Sequence, residues 1–271
     1  MPRAAALAVE ETAERIILVG VDPNGLAIGP SGELYVSDGR DGAIRRVDGD
    51  RARRVAAIDS GGVVSTNRIS GLAVTPTGAL YVARLGYGTA GAVFRVEPDG
   101  APEALDMLSP RFWRLGVCYD ASCHAIYTTQ FLKSWSGAFE GSVVRIELAT
   151  GAATTVVEGL LKPVGVATVG AGLVVTDARD RVVYHIGRDG SRRVLPCGGE
   201  RPDSVCGCDS SSVLVTTYDD QLHRGSVRRI WLDGRMRVIA SGPWEPRGVA
   251  CDGEVAYVAA RGLGRVLVLP L

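Results

Sequence analysis

The sequence predicts an all-β chain folded as a six-bladed β-propeller, and three observations carry that prediction. The chain repeats itself about every 45 residues, the length of a propeller blade. Each repeat holds short runs in which Val, Ile, Leu and Tyr alternate with polar residues, the two-residue period of half-buried strands. Glycine is abundant, 35 of 271 residues, and sits between these runs where tight turns require it.

The repeats can be read in order. The first begins at Pro23 (PNGLAIG, then ELYVSD, AIRRVD and RRVAAI). The second begins at Ile69 (ISGLAVT, ALYVAR, AVFRVE). The third begins at Arg114 and carries a longer connection, QFLKSWSGAFEG, between its second and third strands. The fourth begins at Pro163, the fifth at Pro202 and the sixth at Pro246. The sixth ends after its third strand, LGRVLVLPL. The missing fourth strand matches Arg15–Gly20 at the other end of the chain, so the N-terminal segment is expected to close the ring on the last blade and remove its open edge. Residues 14–271 form one propeller domain on this reading, and residues 1–13 a loose tail. Gly25, Gly71, Gly116, Gly165 and Gly248 recur near the start of the innermost strands, where crowding at the axis favours a residue without a side chain; Ser204 replaces glycine in the fifth unit.

Thirty basic residues balance thirty acidic ones. That balance provides no global attraction to nucleic acid or to an anionic membrane. The start, MPRAAALAVEETAERI, lacks the long apolar core and cleavage site of a signal peptide, and no apolar run reaches the roughly 20 residues of a membrane helix. A cytoplasmic location is the expectation. The six cysteines, Cys118, Cys123, Cys197, Cys206, Cys208 and Cys251, are expected as reduced thiols. Their spacing lacks the paired C-x-x-C of a zinc site.

The pattern P-x-G-L/V-A followed by G-x-L-Y-V-S/A-D resembles the NHL repeat. It is also similar to the gluconolactonase/SMP-30 and strictosidine-synthase-like six-bladed propellers, over nearly the whole chain. The resemblance implies the fold and an activity drawn from a range that includes lactonases, esterases, lyases, cyclising enzymes and binding modules. The gluconolactonase-like group implies a divalent cation at the top of the channel, held by a Glu, two Asn and an Asp in a P-D-G segment. Pro202-Asp203-Ser204 matches that Asp segment. Asp22 or Asn24 stands near the Glu position, Arg114 and Leu115 stand at one Asn position and Val164 at the other. Most of the oxygen ligands a hard cation needs are therefore replaced, and no metal ligand is assigned. The peptide-amidating lyases, similar in fold, rely on His ligands and disulfides, which three histidines and reduced thiols do not match.

In a propeller the connections into the innermost strands share the top face with the loops between second and third strands, and the resulting funnel is the expected ligand site. Around it the sequence places Asp22, Arg68, Trp113, Lys162, Arg201 and Glu245, then Asn24, Ser70, Leu115, Val164, Asp203 and Arg247. Guanidinium groups in such number suit a carboxylate or phosphate, or else ion pairs that tie blades together. The longer loops bring Tyr87, Phe131, Trp135, Phe139 and Tyr218 to the same face as a lid, a docking patch, or loops packed on themselves. The substrate-binding set is read as Asp22, Asn24, Arg68, Tyr87, Phe131, Trp135, Lys162, Arg201, Tyr218, Glu245 and Arg247. Asp203, His223 and Arg114 are the catalytic candidates: Asp203 for its place at the mouth, His223 because it follows Asp219 and Asp220 in a top loop, and Arg114 as an anion holder. There is no G-x-S-x-G elbow and no P-loop.

The expected function is a small-molecule enzyme of hydrolase, lactonase, lyase or cyclase type working in the top funnel on a partly apolar, anionic substrate. The alternative is a non-catalytic binding propeller for protein or peptide. A basic funnel with interleaved aromatics also suits single-stranded RNA, but the neutral overall charge argues against it. Oligomeric state is left open.

Overall fold

The computed structural model describes residues 15–20, 22–59, 68–87 and 89–271; the tail expected over residues 1–13 lies outside them. Alternating apolar residues form six four-stranded antiparallel sheets. Blade 1 is β2 (Pro23–Ile28), β3 (Leu34–Asp38), β4 (Ala43–Asp48) and β5 (Arg51–Ala57). Blade 2 is β6 (Ile69–Val74), β7 (Leu80–Arg84), β8 (Ala92–Val96) and β9 (Glu103–Ala104). Blade 3 is β10 (Trp113–Asp120), β11 (Ala125–Lys133), β12 (Phe139–Glu147) and β13 (Ala153–Leu160). Blade 4 is β14 (Pro163–Val169), β15 (Gly172–Asp177), β16 (Val182–Ile186) and β17 (Arg192–Leu195). Blade 5 is β18 (Arg201–Asp209), β19 (Ser212–Asp219), β20 (Arg224–Trp231) and β21 (Met236–Gly242). Blade 6 is β22 (Glu245–Cys251), β23 (Val255–Arg261) and β24 (Arg265–Pro270), completed by β1 (Arg15–Leu18). The expected closure is present: β1 pairs antiparallel with β24, Arg15 opposite Val268 and Leu18 opposite Arg265.

The core lies in the seams between blades. One apolar cluster fills each of the six seams, such as Ile17, Val19, Leu26, Val36, Val266 and Val268 between blades 6 and 1, and Leu214, Val227, Val249, Val258 and Leu267 between blades 5 and 6. Each such side chain contributes about 1.5–3 kcal/mol when fully buried, so the ring is held by side-by-side packing rather than by a central core.

A recurring irregularity brings the inner strands close together around the axis. Every inner strand carries a β-bulge near its top, for instance between Pro23 and Leu26, Arg114 and Val117, and Pro202 and Val205. The bulged glycine presses on the next blade. A Cβ on Gly25 would stand 2.2 Å from the Ser70 carbonyl oxygen, and one on Gly248 2.1 Å from that of Asn24. A hydroxyl from the second strand staples the same point. Thr216 accepts from the Ser204 N–H at 2.9 Å and donates to the Arg247 carbonyl at 2.9 Å, and Ser37 makes the equivalent bonds to Gly25 N–H and the Ser70 carbonyl. The Ser or Thr preceding Asp in LYVSD and LVVTD is therefore an interblade tie. The Asp itself anchors the top connection: Asp177 accepts backbone N–H bonds from Leu161, Lys162, Arg179 and Asp180.

Candidate functional site

The six inner strands enclose a cavity of about 350 Å³. Its upper end is ringed by Asn24, Ser70, Leu115, Val164, Asp203 and Arg247, the positions expected from the repeat alignment. Asn24 is anchored there by an amide bond to the Ile69 carbonyl at 3.3 Å.

The charged residues expected at the mouth do meet, and they meet one another. Arg68 binds Asp22 at 2.8 Å, and Asp22 also takes Arg261 at 2.9 Å. Arg261 reaches Glu245 at 3.6 Å, and Glu245 takes Arg247 at 2.7 Å. Arg247 binds Asp203 at 2.6 Å; Asp203 is approached by Arg201 at 3.5 Å, and Arg201 binds Asp220 at 3.2 Å. The chain of alternating charge runs over blades 2, 1, 6 and 5, and Arg181 in the top loop of blade 4 joins its end, 3.7 Å from Asp220. Burial works against the Arg247 cation, but Asp203 and Glu245 outweigh it and hold its pKa above the ordinary value. The anion-holding guanidinium cluster is thus largely neutralised by its own carboxylates. Arg261, which sequence reasoning passed over, is a full member, because the residue at the end of the second strand reaches the same rim as the residue before the inner strand: Glu245 and Arg261 face each other in register.

Blades 3 and 4 differ. Their rim presents Trp113, Leu115, Val164 and Lys162. Lys162 makes no ion pair among the described residues; its ammonium lies 5.7 Å from the centre of the Phe131 ring. Burial pushes its pKa down; Asp203 opposes this, and Arg201 and Arg247 add to it. Beside it the aromatics form a row. Tyr87 lies 4.3 Å from Trp113, Trp113 meets Phe131 edge-on at 5.4 Å, and Phe139 follows at 6.3 Å. Asp203 stands on the neighbouring blade 5, and its charge acts on Lys162. Its Oδ2 carries both ion pairs, and its Oδ1 accepts no hydrogen bond from the described residues.

Three expected roles are corrected by the geometry. Arg114 does not face the mouth. Strand alternation turns Trp113 and Leu115 toward the rim and Arg114 away from it, and its side chain is 0% exposed. It donates to Gln130 Oε1 at 2.5 Å and to the Ser109 carbonyl at 2.9 Å, and burial pushes its pKa down to about 10. Phe131 is not part of a lid: β11 and β12 pair out to Lys133 and Phe139, so Phe131 is strand, 0% exposed, and forms the floor under Lys162. Trp135 stands at the tip of that hairpin, fully exposed, apart from the aromatic row.

His223 lies at an exposed hairpin corner with a positive φ of 51°, and its ring approaches the Tyr218 hydroxyl at 3.4 Å. The acids preceding it are otherwise engaged, Asp219 by the N–H groups of Gln221 and Leu222 and Asp220 by Arg201. Tyr218 sits under the Arg201 guanidinium, 5.6 Å from ring centre to cation.

The divalent cation implied by the gluconolactonase resemblance does not fit these residues. Leu115 and Val164 bring no side-chain oxygen, Asp203 is already bound by Arg247, and Lys162, Arg201 and Arg247 would stand beside the ion. Among the described residues no cluster of three or more His, Cys, Asp or Glu is arranged to hold a metal.

No protein-family model and no curated protein matches the chain. Solved structures do. A gluconolactonase from Xanthomonas campestris aligns with a TM-score of 0.75 at 17% identity, covering 98% of this chain and 93% of that one. The shared feature is the six-bladed propeller. Virginiamycin B lyase from Staphylococcus aureus aligns at 0.64 and 14% identity over 95% of this chain and 99% of its own, and a luciferin-regenerating enzyme at 0.66 and 14% over 97% and 95%. At such identities the propeller likeness is one of fold, and function must be argued from the site.

Proposed function

We propose that this propeller is a small-molecule enzyme of hydrolase, lyase or cyclase type whose substrate, partly apolar and carrying an anionic group, binds at the top mouth over blades 3 and 4. The observation that carries this reading is Lys162. It is an inner-rim cation without a carboxylate partner among the described residues, held over an aromatic floor. A desolvated ammonium there gains an incoming carboxylate or phosphate as its partner, in surroundings where charge-assisted bonds are strong. Trp113 and Tyr87 offer the apolar part a shelf. The free Oδ1 of Asp203 is the group to accept or return a proton, its carboxylate oriented by Arg247 and Arg201. Solved propellers of the same fold named as a gluconolactonase and a lyase support the enzymatic reading. The charge set at the rim supports a reaction that needs no divalent cation.

The test is calorimetric titration of a panel of small lactones, aryl carboxylates and phosphate esters into the wild-type chain and Lys162→Met, followed by turnover assays on whatever binds. Loss of a charge-assisted bond predicts affinity weaker by about tenfold or more in the variant. Equal affinity in both proteins refutes the assignment of Lys162. Turnover that survives Asp203→Asn refutes the role given to Asp203.

A further inference from the structure

At the opposite end of the channel from the proposed substrate, thiols gather across the seam of blades 5 and 6. Cys206 and Cys208 lie on β18, and Cys251 ends β22. The Sγ atoms of Cys208 and Cys251 are 3.4 Å apart. This meeting depends on a local irregularity. On β18, Gly207 opposes Val213 and Asp209 opposes Ser212, so Cys208 is an extra residue with no partner across the ladder. It forms a second bulge at the lower end of the strand. The other inner strands, where described, carry the upper bulge alone. A bulge re-aims the side chain it holds; in a regular strand Cys208 would keep to the face that carries Cys206. The turn beyond is fixed by Asp209, which accepts from Ser211 N–H at 2.7 Å and Ser212 Oγ at 2.8 Å. The Gly253 N–H, 3.3 Å from Cys251 Sγ, holds the other thiol in place. Both cysteines are half-buried, packed against the seam yet within reach of a small reagent.

We propose that Cys208 and Cys251 are a reversible dithiol that closes to a disulfide linking blades 5 and 6, with a low-molecular-weight disulfide of the glutathione class as oxidant. The thiolate of Cys208 attacks one sulfur of the small disulfide, forming a mixed disulfide and releasing the first small thiol. Cys251 then gives up its proton and attacks the Cys208 sulfur, forming the internal S–S bond and releasing the second small thiol. The protein loses two electrons and two protons, and the small disulfide gains both. Burial holds the Cys251 thiol up at about 12 and raises that of Cys206 as well, which makes both poor first attackers. In a reducing compartment such a pair stays open and closes under oxidative load, as cytosolic disulfides do. The bond spans 43 residues of chain and would restrict the unfolded state while locking the seam next to the blade that the N-terminal strand completes.

The native wild-type protein is incubated with glutathione disulfide, alkylated, and mapped without reduction, using fragmentation that separates Cys206 from Cys208. The expected result is an internal link between Cys208 and Cys251, loss of two hydrogens per chain, and a rise in Tm reversed by dithiothreitol. Cys206→Ser should keep the link; Cys208→Ser and Cys251→Ser should each abolish it and the rise in Tm. A link through Cys206, or glutathione adducts with no internal bond in the wild-type protein, overturns the proposal without appeal to any variant.

Discussion

Replacing Lys162 by Met should separate function from stability, moving them in opposite directions. In the native protein this ammonium is partly desolvated, makes no ion pair among the described residues, and feels Arg201 and Arg247. Its pKa is therefore lower folded than unfolded. Between the two values the unfolded chain binds more protons, so stability rises with pH in that interval: the penalty is complete below the folded pKa and gone above the ordinary value of about 10.4. Methionine keeps the stem that covers Phe131 and removes the charge. Exchanging buried ion pairs or triads for apolar groups of similar volume is often neutral to stabilising by about 1–4 kcal/mol, and an unpaired ion lacks even the partner's compensation. For this half-buried side chain we expect the lower end, about 1 kcal/mol, or about 2 °C in Tm for a domain of this size. Thermal unfolding at neutral pH and again near pH 10.5 reads the effect. The variant should melt higher at neutral pH, and the gap should close as the pH rises. A variant that melts lower at neutral pH, or a gap independent of pH, would refute the picture of an uncompensated cation.

Other consequences of the geometry are as open to measurement. Ile17→Ala removes a side chain 2% exposed in the closing seam and should cost about 2–5 kcal/mol; a change in denaturant midpoint worth under about 1 kcal/mol would mean that β1 does not hold the ring. Thr216→Val strands the Ser204 N–H and the Arg247 carbonyl at the rim, with an expected loss of about 1–3 kcal/mol and weaker binding at the mouth, since Arg247 and Asp203 sit on the strands it joins; unchanged stability and affinity would show that the tie is dispensable. Ligand binding should be indifferent to EDTA, because the mouth already holds cations where a metal would stand; abolition by EDTA with recovery on adding Ca²⁺ or Mg²⁺ would reverse that reading.

The fold was legible because its signals are periodic. The alternation in LYVSD, LYVAR and LVVTD and the glycine near five of the six inner-strand starts are local chemistry repeated around the ring, and the displaced fourth strand at Arg15–Gly20 shows up against that repeat. The rim of the cavity was legible in outline, since the residues flanking each inner strand were bound to ring the axis. What the sequence hid was pairing. A count of cations around the mouth does not reveal that Arg68, Arg201, Arg247 and Arg261 are consumed by Asp22, Asp203, Asp220 and Glu245, because those contacts cross between repeats distant in the chain, as with Arg261 and Asp22, 239 residues apart. Arg114 was misread for a simpler reason. It lies between two rim residues, and a single step along a strand reverses the direction of a side chain. The thiol pair was beyond sequence reasoning altogether, since the bulge at Cys208 has no compositional mark.

The way the circle is joined also sets the order in which it can be made. Among the described strands β1 is made before all others and its partner β24 after them, so β1 must wait for β24 with its hydrogen-bonding edge unsatisfied. Until they meet, five blades can stack but the sixth seam stays open, leaving Val266 and Val268 without Ile17 and Val19 beside them. Contacts between such remote parts of a chain are slow to form, and an unsatisfied edge invites pairing with other molecules in the interval. A permuted chain in which residues 15–20 directly follow Leu271 would make the last blade from consecutive sequence, and it should refold faster and aggregate less than the natural order while reaching the same ring.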